Sequence, residues 1–293
     1  RRQVCQDNLS GQLILATQTV FQRRVIPYHL KMPNIPANSA IRVSLSDDVA
    51  RISLARPANR NALNDDAWQT LAEICAELSK NASIRAVVLA ADGEHFCAGA
   101  DIHEIRSRIQ DADWMRANQL HVAAGIDAWA ALPQPTIAVI RGSCFGGGTA
   151  LAVGADFRIA SNTARFAVTP ARLGLTYRLI DCLRISQLIG PARTRELLLL
   201  AREIDSATAA TWGLVTKIID DADLHATLEA MLTEIAGLSG YSQRGIKTSL
   251  LKIRDGTVDD DDETRRIFAA AFNAPDFRAA ADAFAAKSFN HSE

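Results

Sequence analysis

Two stretches of this chain, His95-Phe-Cys-Ala-Gly-Ala-Asp-Ile-His-Glu-Ile105 and Arg141-Gly-Ser-Cys-Phe-Gly-Gly-Gly-Thr-Ala-Leu151, decide how it folds. Each is a run of small residues leading from an apolar strand into a helix. Such a turn leaves main-chain N–H groups without intrahelical partners. Glycine lets the backbone come close to whatever those groups bind. Two turns of this kind facing one cavity make a site for a developing oxyanion. Read alone, Gly146-Gly147-Gly148 fits tight helix–sheet packing equally well. The matching Ala98-Gly99-Ala100 turn upstream tips the reading toward the oxyanion site. Neither stretch brings the acid/base carboxylates such a site usually works with.

Working outward, residues 41–45 and 49–54 alternate apolar and polar side chains around Asp47-Asp48, a hairpin signal. Asn64 or Asp65 can cap a helix that buries Trp68, Leu71, Ile74, Cys75 and Leu78 at helical spacing. Residues 85–90 predict a short apolar strand and 113–131 a helix stopped by Leu132-Pro133. Further strands are expected over 135–140, 155–160 and 165–168. Strand, turn and helix thus recur, which argues an α/β core with helices packed on sheet. Beyond Pro191 the pattern is almost wholly helical apart from 215–219. A tail of that kind forms a subunit interface or covers a site, and periodicity does not choose between them.

With 293 residues, 48% of them hydrophobic, the chain can bury a sizeable core. A net charge of −1 points to neither nucleic acid nor an anionic membrane surface. Cys5, Cys75, Cys97, Cys144 and Cys182 show no metal-ligand or CxxC spacing and read as reduced thiols of an intracellular protein. No apolar run approaches the roughly 20 residues that cross a bilayer. Residues 1–31 carry Arg1, Arg2, Arg23, Arg24 and Lys31 against one acid, Asp7, the bias of an organellar targeting segment. The plainer reading is an extension upstream of a start at Met32. Cytoplasmic placement is expected, or an organellar matrix if 1–31 is a native targeting segment. Residues 33–40, with two prolines and no periodicity, read as a linker.

Six ordered segments carry a resemblance. They are Ile52-Ser-Leu-Ala-Arg-Pro-Ala-Asn-Arg-Asn-Ala-Leu-Asn64, Phe96-Cys-Ala-Gly-Ala-Asp101, Gly146-Gly147-Gly148, Ala155-Asp-Phe-Arg-Ile-Ala-Ser161, Ala201-Arg-Glu-Ile-Asp-Ser-Ala-Thr-Ala-Ala-Thr-Trp-Gly-Leu-Val215 and Ala283-Phe284-Ala-Ala-Lys287. From about Ile41 to its end the chain resembles the crotonase, or enoyl-CoA hydratase/isomerase, superfamily. The resemblance implies an α/β spiral of ββα units with a C-terminal helical trimerisation region. Its segments would be an extension and linker over 1–40, a core over 41–220 and the helical region over 221–293. It implies an acyl-CoA thioester as partner, with coenzyme A part of the substrate, no separate cofactor, no metal, and a homotrimer or dimer of trimers. By position, the oxyanion donors are the N–H groups of Ala100 and Gly147. Asn59, Arg60, Ala62 and Leu63 match the segment lining the CoA arm. Ala98, Ala100, Asp101, Ile102 and His103 match the turn around adenine and pantetheine. Phe284 and Lys287 match a C-terminal contact to a neighbouring subunit's CoA phosphate.

Hydratases of that family place one glutamate where this chain has Ala150 and another where it has Pro170. Neither residue moves a proton. The stretch Phe166-Ala-Val-Thr-Pro-Ala-Arg-Leu-Gly-Leu-Thr-Tyr177 resembles instead the methylmalonyl-CoA decarboxylase branch, with Thr-Pro in place of Pro-Glu and with Tyr177 matching a tyrosine. That branch keeps an acid at the position of Ala150 and a histidine at that of Ala100. Losing CO2 from a malonyl-type thioester generates the enolate without a base, and a negative glutamate would repel the leaving carboxylate. Among the other polar residues, Asp101 reads as a helix cap and His103 as a nucleotide contact. Arg172 and Arg178 could meet a carboxylate or a phosphate, with surface placement the plainer reading. His121 and Asp127 fall on the helix that walls the acyl pocket, with Asp127 the nearest substitute base and Asp181 similar. The acidic run Asp259–Asp262 with Glu263 reads as a solvated helix start. The sequence therefore predicts an acyl-CoA enzyme that stabilises an enolate. A malonyl-type decarboxylase using Tyr177 and a non-catalytic acyl-CoA-binding subunit are the alternatives.

Overall fold

The computed structural model describes residues 38 and 40–289, with side chains to 284. The basic N-terminal segment, most of the expected linker and Cys5 lie outside the described residues. In chain order the strands are β1 (Ile41–Ser46), β2 (Val49–Leu54), β3 (Ala86–Ala91), β4 (Thr136–Ile140), β5 (Ser143–Phe145), β6 (Phe157–Ser161), β7 (Arg165–Ala167), β8 (Glu203–Asp205) and β9 (Lys217–Ile219). The helices are α1 (Asp65–Ser79), α2 (Ile102–Ser107), α3 (Ala112–Ala130), α4 (Gly147–Gly154), α5 (Leu179–Leu199), α6 (Ser206–Trp212), α7 (Leu224–Ala236), α8 (Gly240–Arg254), α9 (Asp262–Ala271) and α10 (Pro275–Phe289). The chain forms two compact units, divided between Glu229 and Ala230, with residues 133–135 belonging to the second.

The first unit holds both sheets. The larger has the order β1-β2-β3-β4-β6-β9 and the smaller the order β5-β7-β8. The β1–β2 hairpin is antiparallel, pairing Ile41 with Leu54 and Ser46 with Val49, and Asp47 takes φ 55° at its turn. The rest of the large sheet is parallel. β3, Ala-Val-Val-Leu-Ala-Ala, is apolar throughout, as a strand covered on both faces must be. Asn64 is the residue that caps α1, accepting from the Ala67 N–H at 3.3 Å, with Asp65 and Asp66 in the positively polarised first turn. The predicted face of α1 is buried in full: Trp68, Leu71, Ile74, Cys75 and Leu78. α3 passes close to it at Gly125, where a β-carbon would lie 2.8 Å from the Trp68 carbonyl oxygen.

Three elements differ from the sequence reading. β5 and β8 are strands of three residues, too short to show a period. α5 begins before Pro191, not after it. Gly190 at φ 73° breaks the helix, and Pro191 opens the continuation, where its missing N–H costs nothing.

A buried cation closes the far end of α4. Arg158 on β6 donates from Nε to Leu214 O at 2.8 Å and from its other nitrogens to the carbonyls of Ala155 and Asp156. Burial lowers its pKa to about 10, partly offset by Asp156.

The second unit contains α8, α9 and α10. The buried Lys247 ammonium donates to Gln134 O at 2.8 Å, and Tyr241 OH donates to Ile267 O at 2.7 Å. Asp261 caps α9 in a capping box and meets Lys252 at 2.6 Å, so the acidic run opens a helix as expected. Ile246, Leu250, Phe268 and Phe272 of this unit are exposed. Among the described residues no helix is long and apolar enough to cross a membrane.

Replacing Arg158 by Met fills similar volume but strands buried carbonyls. Arg158→Met is expected to lower unfolding stability by about 3 kcal/mol, read from the shift of the urea midpoint at unchanged slope.

Candidate active site

The two glycine-containing turns meet. Cys97 and Cys144 form a parallel bridge: Cys97 N–H donates to Ser143 O at 3.0 Å and Phe145 N–H to Cys97 O at 2.9 Å. Beyond it the backbones touch, with no room for a side chain at Gly99 or Gly148. A β-carbon at Gly99 (φ 97°) would lie 2.9 Å from Gly147 N, and one at Gly148 only 2.2 Å from Cys97 O. The packing reading of the glycine run therefore holds for Gly148. Gly148 is required by packing, while Gly147 opens α4 with its N–H beyond the reach of the helix's own carbonyls. Gly146 connects them at φ 52°, ψ −114°.

On the first turn, Leu63 N–H donates to Gly99 O at 2.8 Å and Asp101 N–H to Leu63 O at 2.9 Å. These bonds flank Ala100 in a parallel bridge, so the N–H of Ala100 itself faces away from Leu63. Among the described residues neither the Ala100 N–H nor the Gly147 N–H is paired with a protein acceptor. The indole of Trp68 floors the site: a β-carbon at Gly147 would lie 3.2 Å from its six-membered ring.

Asp101 caps α2 as predicted, accepting from His103 N–H at 3.1 Å and Glu104 N–H at 3.4 Å. Burial pushes its carboxyl pKa up. The Arg56 guanidinium at 2.8 Å and the two cap amides more than reverse that, and it ends below the ordinary 3.8. Arg56 was not singled out from sequence, nor was Asn61. The fully buried Asn61 (φ 54°) accepts from Arg56 N–H at 2.8 Å and donates to His95 O at 2.7 Å. Their signal was present in Arg56-Pro-Ala-Asn-Arg-Asn61, where a polar turn follows a core strand.

The expected CoA-lining residues gather around the same bridge. Ala98 N–H donates to Arg60 O at 2.9 Å. Ala62, Leu63 and Asp101 are buried, Ala98 and Ala100 partly so, and Asn59, Arg60, Ile102 and His103 exposed. Phe284 is an exposed residue of α10 in the second unit, and the Lys287 side chain lies outside the described residues.

No carboxylate stands at the two expected positions. Ala150 is buried within α4, and Pro170 opens a 3₁₀ turn, Pro170–Leu173, just after Thr169, whose hydroxyl would lie 3.5 Å from a β-carbon on Gly146. Tyr177 sends its hydroxyl to Gly146 O at 3.0 Å. Burial, with Asp181 and Cys144 nearby, pushes that phenol well above its usual pKa.

The two candidate bases are bound to arginines. Asp127 meets Arg178 at 2.5 Å and Arg184 at 3.1 Å, and Asp181 meets Arg184 at 2.8 Å and Arg178 at 3.7 Å. Burial raises the Asp181 pKa although both arginines oppose it. Arg178 thus takes the carboxylate contact rather than the plainer surface placement, and is a half-buried clamp between α3 and α5. Arg172 is exposed and donates to Ala201 O. His121 lies on the α1-facing side of α3, with Nδ1 2.9 and 3.0 Å from the two Asp65 oxygens. Asp65 also accepts from Asn118 and Gln69, and its N–H donates to Glu104 at 2.8 Å. No group of three or more His, Cys, Asp or Glu among the described residues could hold a metal.

The profile of the enoyl-CoA hydratase/isomerase family matches residues 44–291. A Mycobacterium tuberculosis protein named a probable enoyl-CoA hydratase is 30% identical, covering 80% of this chain and 91% of its own. The mitochondrial Delta(3,5)-Delta(2,4)-dienoyl-CoA isomerase of Dictyostelium discoideum is 30% identical over 72% of this chain and 76% of its own. Among solved structures, an enoyl-CoA hydratase/carnithine racemase from Magnetospirillum magneticum superposes with a TM-score of 0.80 at 29% identity, covering 86% of this chain and 95% of that one. The chain belongs to the enoyl-CoA hydratase/isomerase family and has the crotonase fold.

Because the folded-state pKa of Asp101 is depressed, its contribution to stability is complete above the unfolded value and is lost as pH falls through the folded one. Asp101→Asn keeps a capping side chain but loses the ion pair to Arg56. The stability gap between wild type and variant is expected to be largest above about pH 5 and to close toward acid, as followed by urea unfolding across pH.

Proposed function

We propose that this protein binds an acyl-CoA thioester and stabilises its enolate between the N–H groups of Ala100 and Gly147. The observation that carries this reading is the contact of the two turns, together with the lack of a protein acceptor for either amide among the described residues. Charge developing on the thioester oxygen meets fixed donors that need no reorganisation, and each donor is worth about 3–4 kcal/mol in the transition state. Asn59, Arg60, Ala62, Leu63, Ala98, Asp101, Ile102 and His103 line the CoA arm. The exposed apolar residues of α8 and α9 suit a trimerisation surface, with Phe284 and Lys287 the family-matched contact to a neighbour's CoA. We place the protein in the cytoplasm or an organellar matrix, where such thioesters occur.

General acid–base groups at Ala150 and Pro170 would each have supplied about two to four powers of ten. Without them, efficient hydration by that route is not expected. The absent carboxylates favour a second reading, decarboxylation of a malonyl-type thioester. There the electrons of the bond to CO2 form the enolate, and a proton from solvent completes the product.

Short, medium and malonyl-type CoA thioesters incubated in D2O distinguish these readings by α-deuterium uptake and CO2 release. Gly147→Ala and Gly147→Pro both place a β-carbon beside Trp68, and only proline removes the N–H. Turnover of the proline variant is expected to fall about 10²–10³-fold below that of the alanine variant. Equal turnover in the two variants contradicts the oxyanion reading. Tight binding with neither exchange nor CO2 release identifies a non-catalytic acyl-CoA-binding subunit.

A further inference from the structure

We propose that Tyr177 is a positioning residue that aims the Gly147 N–H at the substrate by holding the carbonyl of Gly146. The inference rests on the enolate-stabilising role of Gly147 and adds the part that fixes it. The C=O of Gly146 and the N–H of Gly147 are the two ends of one planar trans peptide, pointing in opposite directions. Where the oxygen is held, the direction of the N–H is set.

That peptide needs holding. It lies between two glycines, so no β-carbon restricts its rotation on either side. Gly146 already sits at φ 52°, ψ −114°, a conformation that glycine alone adopts freely. Two donors converge on its oxygen: Ala150 N–H from within α4 at 3.1 Å, and Tyr177 OH from outside it at 3.0 Å. The helical bond holds the oxygen along the helix axis, and the tyrosine adds a second direction that resists rotation of the plane. A donor on the carbonyl also polarises the amide, which strengthens the N–H at its other end.

The tyrosine is itself held. It packs against the core, and its carbonyl-directed hydroxyl has a single proton, which the Gly146 bond uses. Its chain neighbour Arg178 reaches Asp127 on α3, and Asp181, in the first turn of α5, is tied to Arg184. The Asp127–Arg178–Asp181–Arg184 cluster thus fixes the segment that presents Tyr177 and needs no role in moving protons.

The test is difference infrared spectroscopy of a bound thioester labelled with ¹³C at its carbonyl, alongside binding of acetoacetyl-CoA, an enolate-like probe, and of free CoA. Wild type is expected to lower the carbonyl stretching frequency. Tyr177→Phe keeps the ring and loses only the hydroxyl. It is expected to lose part of that lowering and to bind acetoacetyl-CoA roughly three- to tenfold more weakly, while CoA affinity and the thermal midpoint stay near wild type. A Tyr177→Phe protein with the wild-type carbonyl frequency overturns the positioning role and leaves the oxyanion site standing. So does a variant that loses acetoacetyl-CoA and CoA in equal measure. A wild-type spectrum with no lowering overturns the oxyanion reading and this inference together.

Discussion

The structure depends on the side-by-side contact of two backbone turns. Cys97 and Cys144 pair as neighbouring strands, and past them the chain must still converge, Gly99 onto Gly147 and Gly148 onto Cys97. Contact at this distance excludes a side chain at Gly99 and at Gly148. Among the described residues the N–H groups of Ala100, just before the α2 cap, and of Gly147, at the start of α4, have no protein acceptor. The sheet order, the hairpin and the close passage of α3 over Trp68 all serve to bring these turns together and floor the space beside them.

Around that contact, polar side chains act as braces. On one side Arg56 and Asn61 bind the 56–63 segment to the turn and its cap, Asp101. On the other, Tyr177 reaches Gly146, and the paired arginines and aspartates hold α5 against α3. Asp127 and Asp181 each face two guanidinium groups, which tie up their lone pairs. Ala150 and Pro170 carry no group that could move a proton, so the proposed role rests on the main-chain amides alone.

Much of this was legible in the sequence, for identifiable reasons. Small residues between an apolar strand and a helix have few physical explanations, so Gly99, Ala100 and Gly147 stood out. The cap at Asp101, the buried face of α1 and the acidic start of α9 follow from short-range rules. β5 and β8 were missed because three residues carry no period, and α5 was begun too late because Pro191 masked a break at Gly190. Arg56, Asn61 and Arg178 were missed or misplaced because their partners, Asp101, His95 and Asp127, are distant in sequence. Local pattern does not say which charge meets which. Tyr177 was noticed for its resemblance, but its bond to Gly146 needed coordinates.

A crystal structure of the protein with acetoacetyl-CoA tests the central claim most directly. The thioester oxygen is predicted to lie within about 3.2 Å of both Ala100 N and Gly147 N, with the acyl carbons beside the Trp68 floor. A complex in which that oxygen contacts only one amide, or in which the thioester lies away from both turns, would contradict the account.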